Sequence, residues 1–170
     1  MNKYLLGQVL EHKICKARKR FNDFNSQTIP YTNLEECLTI ANDIAVNSLE
    51  QGTWLNKLIL HGTSNPSCVH YSKYTYAAFL NLTEANQEFR DDVVFVIGYT
   101  ILEFENKKKK GYHAFLMYNK DSKYKVLETI PDNRDAIRKE YYPMAAFQTG
   151  KKLASKKMAA AVFFTDILRK

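Results

Sequence analysis

Three residues of this 170-residue chain have types and spacing that could make and break an acyl bond: Cys68, His113 and Glu128. Cys68 follows Asn65-Pro66. A capping asparagine with proline at the first helical position predicts a helix that begins there and carries the cysteine at about its third position. A thiol at a helix N-terminus meets unpaired backbone amides and the positive end of the macrodipole, and both favour the nucleophilic thiolate. The alternative for a lone cysteine is a small buried side chain.

His113 and Glu128 fall in two segments with strand character, Tyr112–Tyr118 and Lys123–Ile130. A hairpin loop centred on Lys120-Asp121 sets them directly opposite each other on one face, with β-carbons about 4.5–5.5 Å apart, within reach of an imidazole–carboxylate hydrogen bond. Phe115 then pairs with Val126 and Met117 with Tyr124, so the pair ends an apolar face that is expected to pack on a helix. A carboxylate on one ring nitrogen fixes the tautomer and supports the imidazolium formed when the other nitrogen takes a thiol proton. An incidental pair on a solvated face is the competing reading, and the apolar companions weigh against it because burying a glutamate without purpose is costly.

The elements that must position these groups are legible as periodicities. Tyr4, Leu5, Val9, Leu10, Ile14 and Ala17 recur at helical spacing, and Asn22–Gln27 with Ile29-Pro30 reads as a loop. Thr32 or Asn33 caps a second helix with Glu35 and Glu36 in its first turn and a stripe of Leu34, Leu38, Ala41, Ala45 and Leu49; Gln51-Gly52 ends it. After Trp54–Leu60 and the turn-rich His61–Pro66, the nucleophile helix runs to about Ala85. The period then changes to two. Val93–Leu102 is a strand, Asn106–Gly111 a charged hairpin loop, and the two later strands complete an antiparallel meander closed by Pro131-Asp132-Asn133. Helical character returns over Arg134–Tyr142 and Lys152–Leu168, with Pro143 between them.

From Ser67 to Asp132 four blocks stand in order: Ser67-Cys68-Val69-His70-Tyr71-Ser72, Val96-Ile97-Gly98-Tyr99, Gly111-Tyr112-His113-Ala114-Phe115, and Val126-Leu127-Glu128-Thr129-Ile130-Pro131. Together they resemble the core of the transglutaminase-like superfamily of papain-like cysteine enzymes. That resemblance implies Cys68 as nucleophile, His113 as base and Glu128 as the residue that orients the base, Glu128 standing where the family more usually has aspartate. It also implies an α+β, papain-like (transglutaminase-like) fold: N-terminal helices, a central nucleophile helix packed on a small antiparallel sheet, and C-terminal helices, in one domain over 1–170. The expected activity is hydrolysis or transfer at an amide through a thioester, as in a cysteine protease, an amidase or a transglutaminase. The backbone N–H of Cys68 is the natural first oxyanion donor. Asn65, Trp54 and a ring of the Tyr71–Tyr76 cluster, Tyr71 among them, are candidates for the second, while Trp54 also suits a packing role.

Competing motifs carry less. His61-Gly62-Thr63 resembles the His-Gly-Thr of ADP-ribosyltransferases, which implies an NAD-using enzyme with Glu128 as its glutamate. A proline-started helix follows too soon to cradle that cofactor, so His61 is read as lining the entrance to Cys68 or belonging to the turn. A non-catalytic binding module on the same fold is a further alternative. His70, two residues after Cys68, points away from the cysteine's face. No histidines and carboxylates share metal-ligand spacing, and neither metal nor cofactor is expected.

Composition bounds the rest. A hydrophobic content of 45% with Tyr 11, Phe 10, Gly 6 and Pro 4 is that of a chain that folds around one core. The net charge of +7 is spread over Lys16–Arg20, Lys107–Lys110, Lys151–Lys157 and the C-terminus. That pattern reads as solvated surface, so no nucleic-acid partner is expected and an acidic polypeptide or amide substrate is favoured over a small neutral one. Three widely spaced cysteines without a Cys-x-x-Cys pair suit a reducing, cytoplasmic setting. The apolar run at Met1–Leu10 is too short for a secretory signal, and no stretch has the length of a membrane span.

Overall fold

The computed structural model of the protein describes residues 3–25, 27–51, 66–104, 107–131 and 137–148. These residues form an α+β arrangement of helices beside a four-stranded antiparallel sheet. Helix α1 spans Lys3–Arg18 and passes into a 3₁₀ turn at Lys19–Phe21. Its buried stripe is Leu10, Ile14, Ala17 and Phe21, the alternating four- and three-residue steps that keep side chains on one helical face. Helix α2, Leu34–Glu50, starts at Asn33, whose side chain accepts the Glu36 N–H. Thr32, the other candidate cap, instead gives its N–H and hydroxyl to the Glu36 carboxylate. Cys37, Leu38, Ala41, Ala45 and Leu49 form the buried face of α2.

Helix α3, Cys68–Leu82, is the centre of the molecule. Tyr71, Ser72 and every residue from Tyr74 to Leu82 are buried, because α1 and α2 pack on one side of the helix and the sheet packs on the other. Ser67, not Asn65, is its N-cap, and Cys68 is its first residue rather than its third. The cap is reinforced locally: the Nδ1 atom of His70 accepts the Ser67 N–H at 3.2 Å and lies 3.0 Å from Ser67 Oγ. The helix ends at Leu82, short of Ala85, and a short helix α4 follows at Gln87–Asp91.

The sheet comprises β1 (Val93–Phe104), β2 (Lys107–Lys120), β3 (Lys123–Leu127) and β4 (Ile137–Phe147), in the order β3-β2-β1-β4. Four expectations need correction here. The lysines expected in a hairpin loop at Asn106–Gly111 are strand residues: Lys107, Lys108, Lys109 and Lys110 pair with Phe104, Glu103, Leu102 and Ile101. Exposed positions with acidic and apolar partners across the ladder tolerate such charge, and hydrophobic patterning alone does not reveal the strand.

The part of Arg134–Tyr142 that lies within the described residues, from Ile137 on, is strand and not helix, and β4 continues past Pro143 to Phe147. Pro143 fits because β4 is an edge strand with register shifts opposite Ile97/Gly98 and Ile101/Leu102. Gly98 makes that approach possible. A Cβ placed there would lie 2.2 Å from the Tyr142 carbonyl oxygen and 3.0 Å from the Pro143 Cα, so no larger residue fits without moving β4.

The β2–β3 loop is Asp121-Ser122, both at positive φ (53° and 62°), as a two-residue hairpin turn of the mirror-image type requires. Lys120 therefore pairs with Lys123 and Met117 with Val126, a slip of two residues from the expected register. A two-residue slip preserves which side chains share a face. The apolar face carrying Phe115 and Met117 nevertheless does not receive the described helices. Those pack against the opposite face, through Ala114, Leu116 and Tyr118, while Phe115 and Met117 join a second cluster with Val94, Val96 and Ala146. Among the described residues no helix is long and apolar enough to cross a membrane. The expected helix at Lys152–Leu168 lies outside the described residues.

Candidate active site

Cys68 at the start of α3, His113 on β2 and Glu128 just past the end of β3 meet at the end of the sheet where β3 stops pairing. The last β2–β3 rung is Leu116 with Leu127. Continuing that register would set Glu128 level with Phe115, two residues from His113 on the same face, so it reaches the ring along a diagonal. Diagonal neighbours are about 7–8 Å apart at the backbone. The extra methylene of glutamate over aspartate supplies the reach. The Glu128 oxygens Oε2 and Oε1 lie 2.8 Å and 3.1 Å from His113 Nε2.

Three further donors hold that carboxylate. The backbone N–H groups of Thr129 and Ile130 donate to Oε1 at 3.0 Å and 3.1 Å, and the Tyr141 hydroxyl donates to Oε2 at 2.9 Å. An acceptor so surrounded puts the proton of a neutral imidazole on Nε2 and leaves Nδ1 as the ring nitrogen with a lone pair for a thiol proton. His113 is confined: its side chain is 3% exposed, and the rings of Phe115 and Tyr141 lie at centroid distances of 5.9 Å and 6.0 Å.

The electrostatics couple sulfur and ring. Burial alone would push the Cys68 thiol up, but the hydrogen bond with His113, the Ala114 backbone N–H, the imidazole charge and the Val69 N–H outweigh it and hold the thiol below its ordinary range. For His113, burial alone would pull the imidazole down; its hydrogen bonds to Cys68 and to Glu128 prevail and raise it. Stabilisation from the raised imidazole is present below the ordinary histidine range and disappears as pH climbs through the raised value. That from the lowered thiol is present above the ordinary cysteine range and disappears as pH falls through the lowered value. Cys37 provides the contrast. It is fully buried, and burial followed by the Glu36 charge pushes its thiol up to about 12, the behaviour of a core filler.

The three functional segments are tied together by a hydroxyl pair. Ser72 lies one helical turn after Cys68. Its Oγ donates to the Ala114 carbonyl at 2.8 Å and sits 2.7 Å from Thr129 Oγ1, and both hydroxyl side chains are fully buried. Because the Ser72 proton goes to Ala114, Thr129 supplies the proton between the two hydroxyls. Two hydrogen bonds of one side chain, Ser72, thus connect the helix of Cys68 with the residues that follow His113 and Glu128. Replacing Thr129 with Val keeps the shape and removes the donor. It should cost about 1 kcal/mol in thermal unfolding and move the pH midpoint of Cys68 alkylation upward, whereas Thr129→Ser should restore the midpoint.

Of the remaining predicted site residues, only Tyr71 lies within the described residues. Tyr71 is in the core, with its hydroxyl 3.4 Å from Glu50 Oε1 on α2. Asn65, Trp54 and His61 lie outside the described residues. Sequence reasoning missed Ser72, Thr129 and Tyr141 as parts of the site. The four-residue step from Cys68 to Ser72 was available as a signal, since such residues share a helical face. For Tyr141 the signal was Tyr141-Tyr142-Pro143-Met144-Ala145-Ala146-Phe147, an apolar and aromatic run whose proline suits an edge strand. Among the described residues no group of three or more histidine, cysteine, aspartate or glutamate side chains could hold a metal. Comparison with protein-family models, with curated proteins and with solved structures gives no match.

Proposed function

We propose that the protein is a thiol-dependent enzyme acting on an amide or related acyl carbon, with Cys68 as nucleophile, His113 as general base and acid, and Glu128 orienting the ring. The observation that carries this reading is the carboxylate of Glu128, fixed by four donors of which one is His113 Nε2, together with the mutual influence of ring and sulfur that lowers the Cys68 thiol and raises the imidazole. In the first half-reaction the thiolate adds to the carbonyl carbon. Protonated His113 gives its proton to the departing nitrogen as the C–N bond breaks, which leaves a thioester. In the second half-reaction water or an amine attacks the thioester, passing a proton to His113 as the C–S bond breaks and the thiolate returns. Water makes the enzyme a protease or amidase; an amine makes it a transglutaminase or acyltransferase.

A papain-like (transglutaminase-like) arrangement is part of the same proposal. It is supported by a cysteine at the start of the central helix, a histidine on the adjoining strand and a carboxylate from the next. The use of Glu128 also weighs against an ADP-ribosyltransferase. Both of its oxygens are committed to His113, Tyr141 and backbone amides, so it does not stand free for a nicotinamide dinucleotide. The three thiols are free, which suits a reducing compartment.

Intact-mass labelling with iodoacetamide across pH tests the reading. Cys68 should label ahead of Cys15 and Cys37 at pH values where ordinary thiols are protonated, and His113→Ala should abolish that advantage. Labelling of Cys68 with the pH midpoint of a free thiol would sink the enzyme reading and favour a binding module; consumption of nicotinamide dinucleotide without such labelling would favour the transferase.

A further inference from the structure

Exposed apolar surface gathers beside the thiol and the imidazole. Among the described residues the exposed large hydrophobic side chains are Val9, Val69, Tyr112 and Met144. Two of the four adjoin the reacting groups in the chain: Val69 follows Cys68, and Tyr112 precedes His113. Their exposures are 42% and 84%, beside a half-buried Cys68 and an enclosed His113. A single exposed apolar residue says little, whereas a contiguous patch at a reactive centre marks a binding surface.

Tyr112 belongs to such a patch. Cross-strand pairing sets Tyr112 opposite Tyr99, and Tyr99 opposite Tyr142, so three tyrosines form one rung across β2, β1 and β4. Directly opposed residues share a face, and this is the face that carries Ala114 and receives α3. Helix α3 begins at Cys68, its Ser72 one turn later donates to the Ala114 carbonyl, and Tyr112 lies two residues before Ala114 on β2, away from Leu116 and Tyr118, which pack under the helix. The rung therefore paves the ground just beyond the nucleophile. The Tyr99 and Tyr142 rings are stacked, with centroids 4.7 Å apart and planes 9° from parallel, and the Lys110 Nζ sits 3.6 Å from the Tyr99 ring centroid.

Charge does not set the preference of this surface. Lys108 faces Glu103 across the ladder, and the Tyr142 hydroxyl donates to Glu140, so both signs are present. What the surface offers is ring area. We propose that the tyrosine rung, together with Val69, binds the acyl-donor side of the substrate and selects a polypeptide segment with an aromatic side chain next to the carbonyl attacked by Cys68. Aromatic rings favour such a surface because they stack offset or edge-on against tyrosine. This inference rests on the thiol-enzyme reading and narrows its substrate class from acidic to aromatic.

The test compares alkylation of Cys68 by N-benzyl-2-iodoacetamide and by iodoacetamide, each rate divided by that of glutathione with the same reagent. Wild-type protein should favour the benzyl reagent by about tenfold, the scale expected from burying one ring. Tyr112→Ala should bring the ratio close to one, Val69→Ser should reduce it, and Val9→Ala, at an exposed position on α1, should leave it as in the wild type. A reactive Cys68 without benzyl preference, or a preference that survives Tyr112→Ala, overturns this inference alone. A Cys68 no more reactive than glutathione towards iodoacetamide removes the thiol-enzyme reading and the inference with it.

Discussion

Cys68→Ala should abolish acyl transfer while leaving the melting temperature within about 4 °C of the wild type, the shift that roughly 1 kcal/mol brings in a chain of this size. The thiol is half-buried at the first position of α3 and packs against the main core from its margin, so its removal should disturb that core little. Without sulfur there is no nucleophile to form the thioester, so the loss is complete and not graded. Cys37→Ala should behave in the opposite way. Cys37 is fully enclosed on the buried face of α2, and burial followed by the Glu36 charge holds its thiol in the neutral form. Its replacement should lower the melting temperature and leave turnover unchanged. Residual turnover in Cys68→Ala, measured on any amide substrate that the wild type cleaves, would assign the chemistry to another group.

The contrast between these two cysteines also shows how much of the molecule could be read from the chain. The stripe of α2 and, in α1, Leu10, Ile14 and Ala17 follow the expected periodicities because each helix buries one face, whereas Val9, expected in the α1 stripe, is exposed. The His113–Glu128 contact was legible for a weaker reason. The loop was placed one residue early, at Lys120-Asp121, but the resulting register slip is even and so kept both side chains on one face.

Other features left no such trace. The strand Lys107–Lys120 begins beyond the surface that the helices cover, and its four leading lysines are exposed and charged, so hydrophobic alternation is absent there while the ladder continues. In β4 the helix-like spacing of Arg134–Tyr142 outweighed the proline and aromatic run that follows it. The strand is held there by its close approach over Gly98, a tertiary contact that local propensity does not encode. The side of the sheet that receives the helices was equally hidden, because both faces of β2 are apolar over Ala114–Tyr118.

Glu128→Gln should lower kcat by about a hundredfold or more with little change in KM, and the reason is a conflict of donors. Four groups give protons to this carboxylate: the Nε2 of His113, two backbone amides and the Tyr141 hydroxyl. Glutamine has one accepting oxygen and one donating NH₂. The two amide N–H groups cannot turn, so they claim the oxygen at the Oε1 position, and the NH₂ is left facing the imidazole. The ring must then present a lone pair at Nε2 and carry its proton on Nδ1, where it can no longer accept the proton of Cys68. Loss of the negative charge also removes a principal cause of the raised His113 pKa, so the imidazolium is lost at lower pH and the alkaline limb of the activity profile moves down. Tyr141→Phe removes one donor and keeps the carboxylate, so its effect should take the same direction and be smaller. An unchanged kcat in Glu128→Gln would take the carboxylate out of the mechanism and leave a Cys–His pair acting alone.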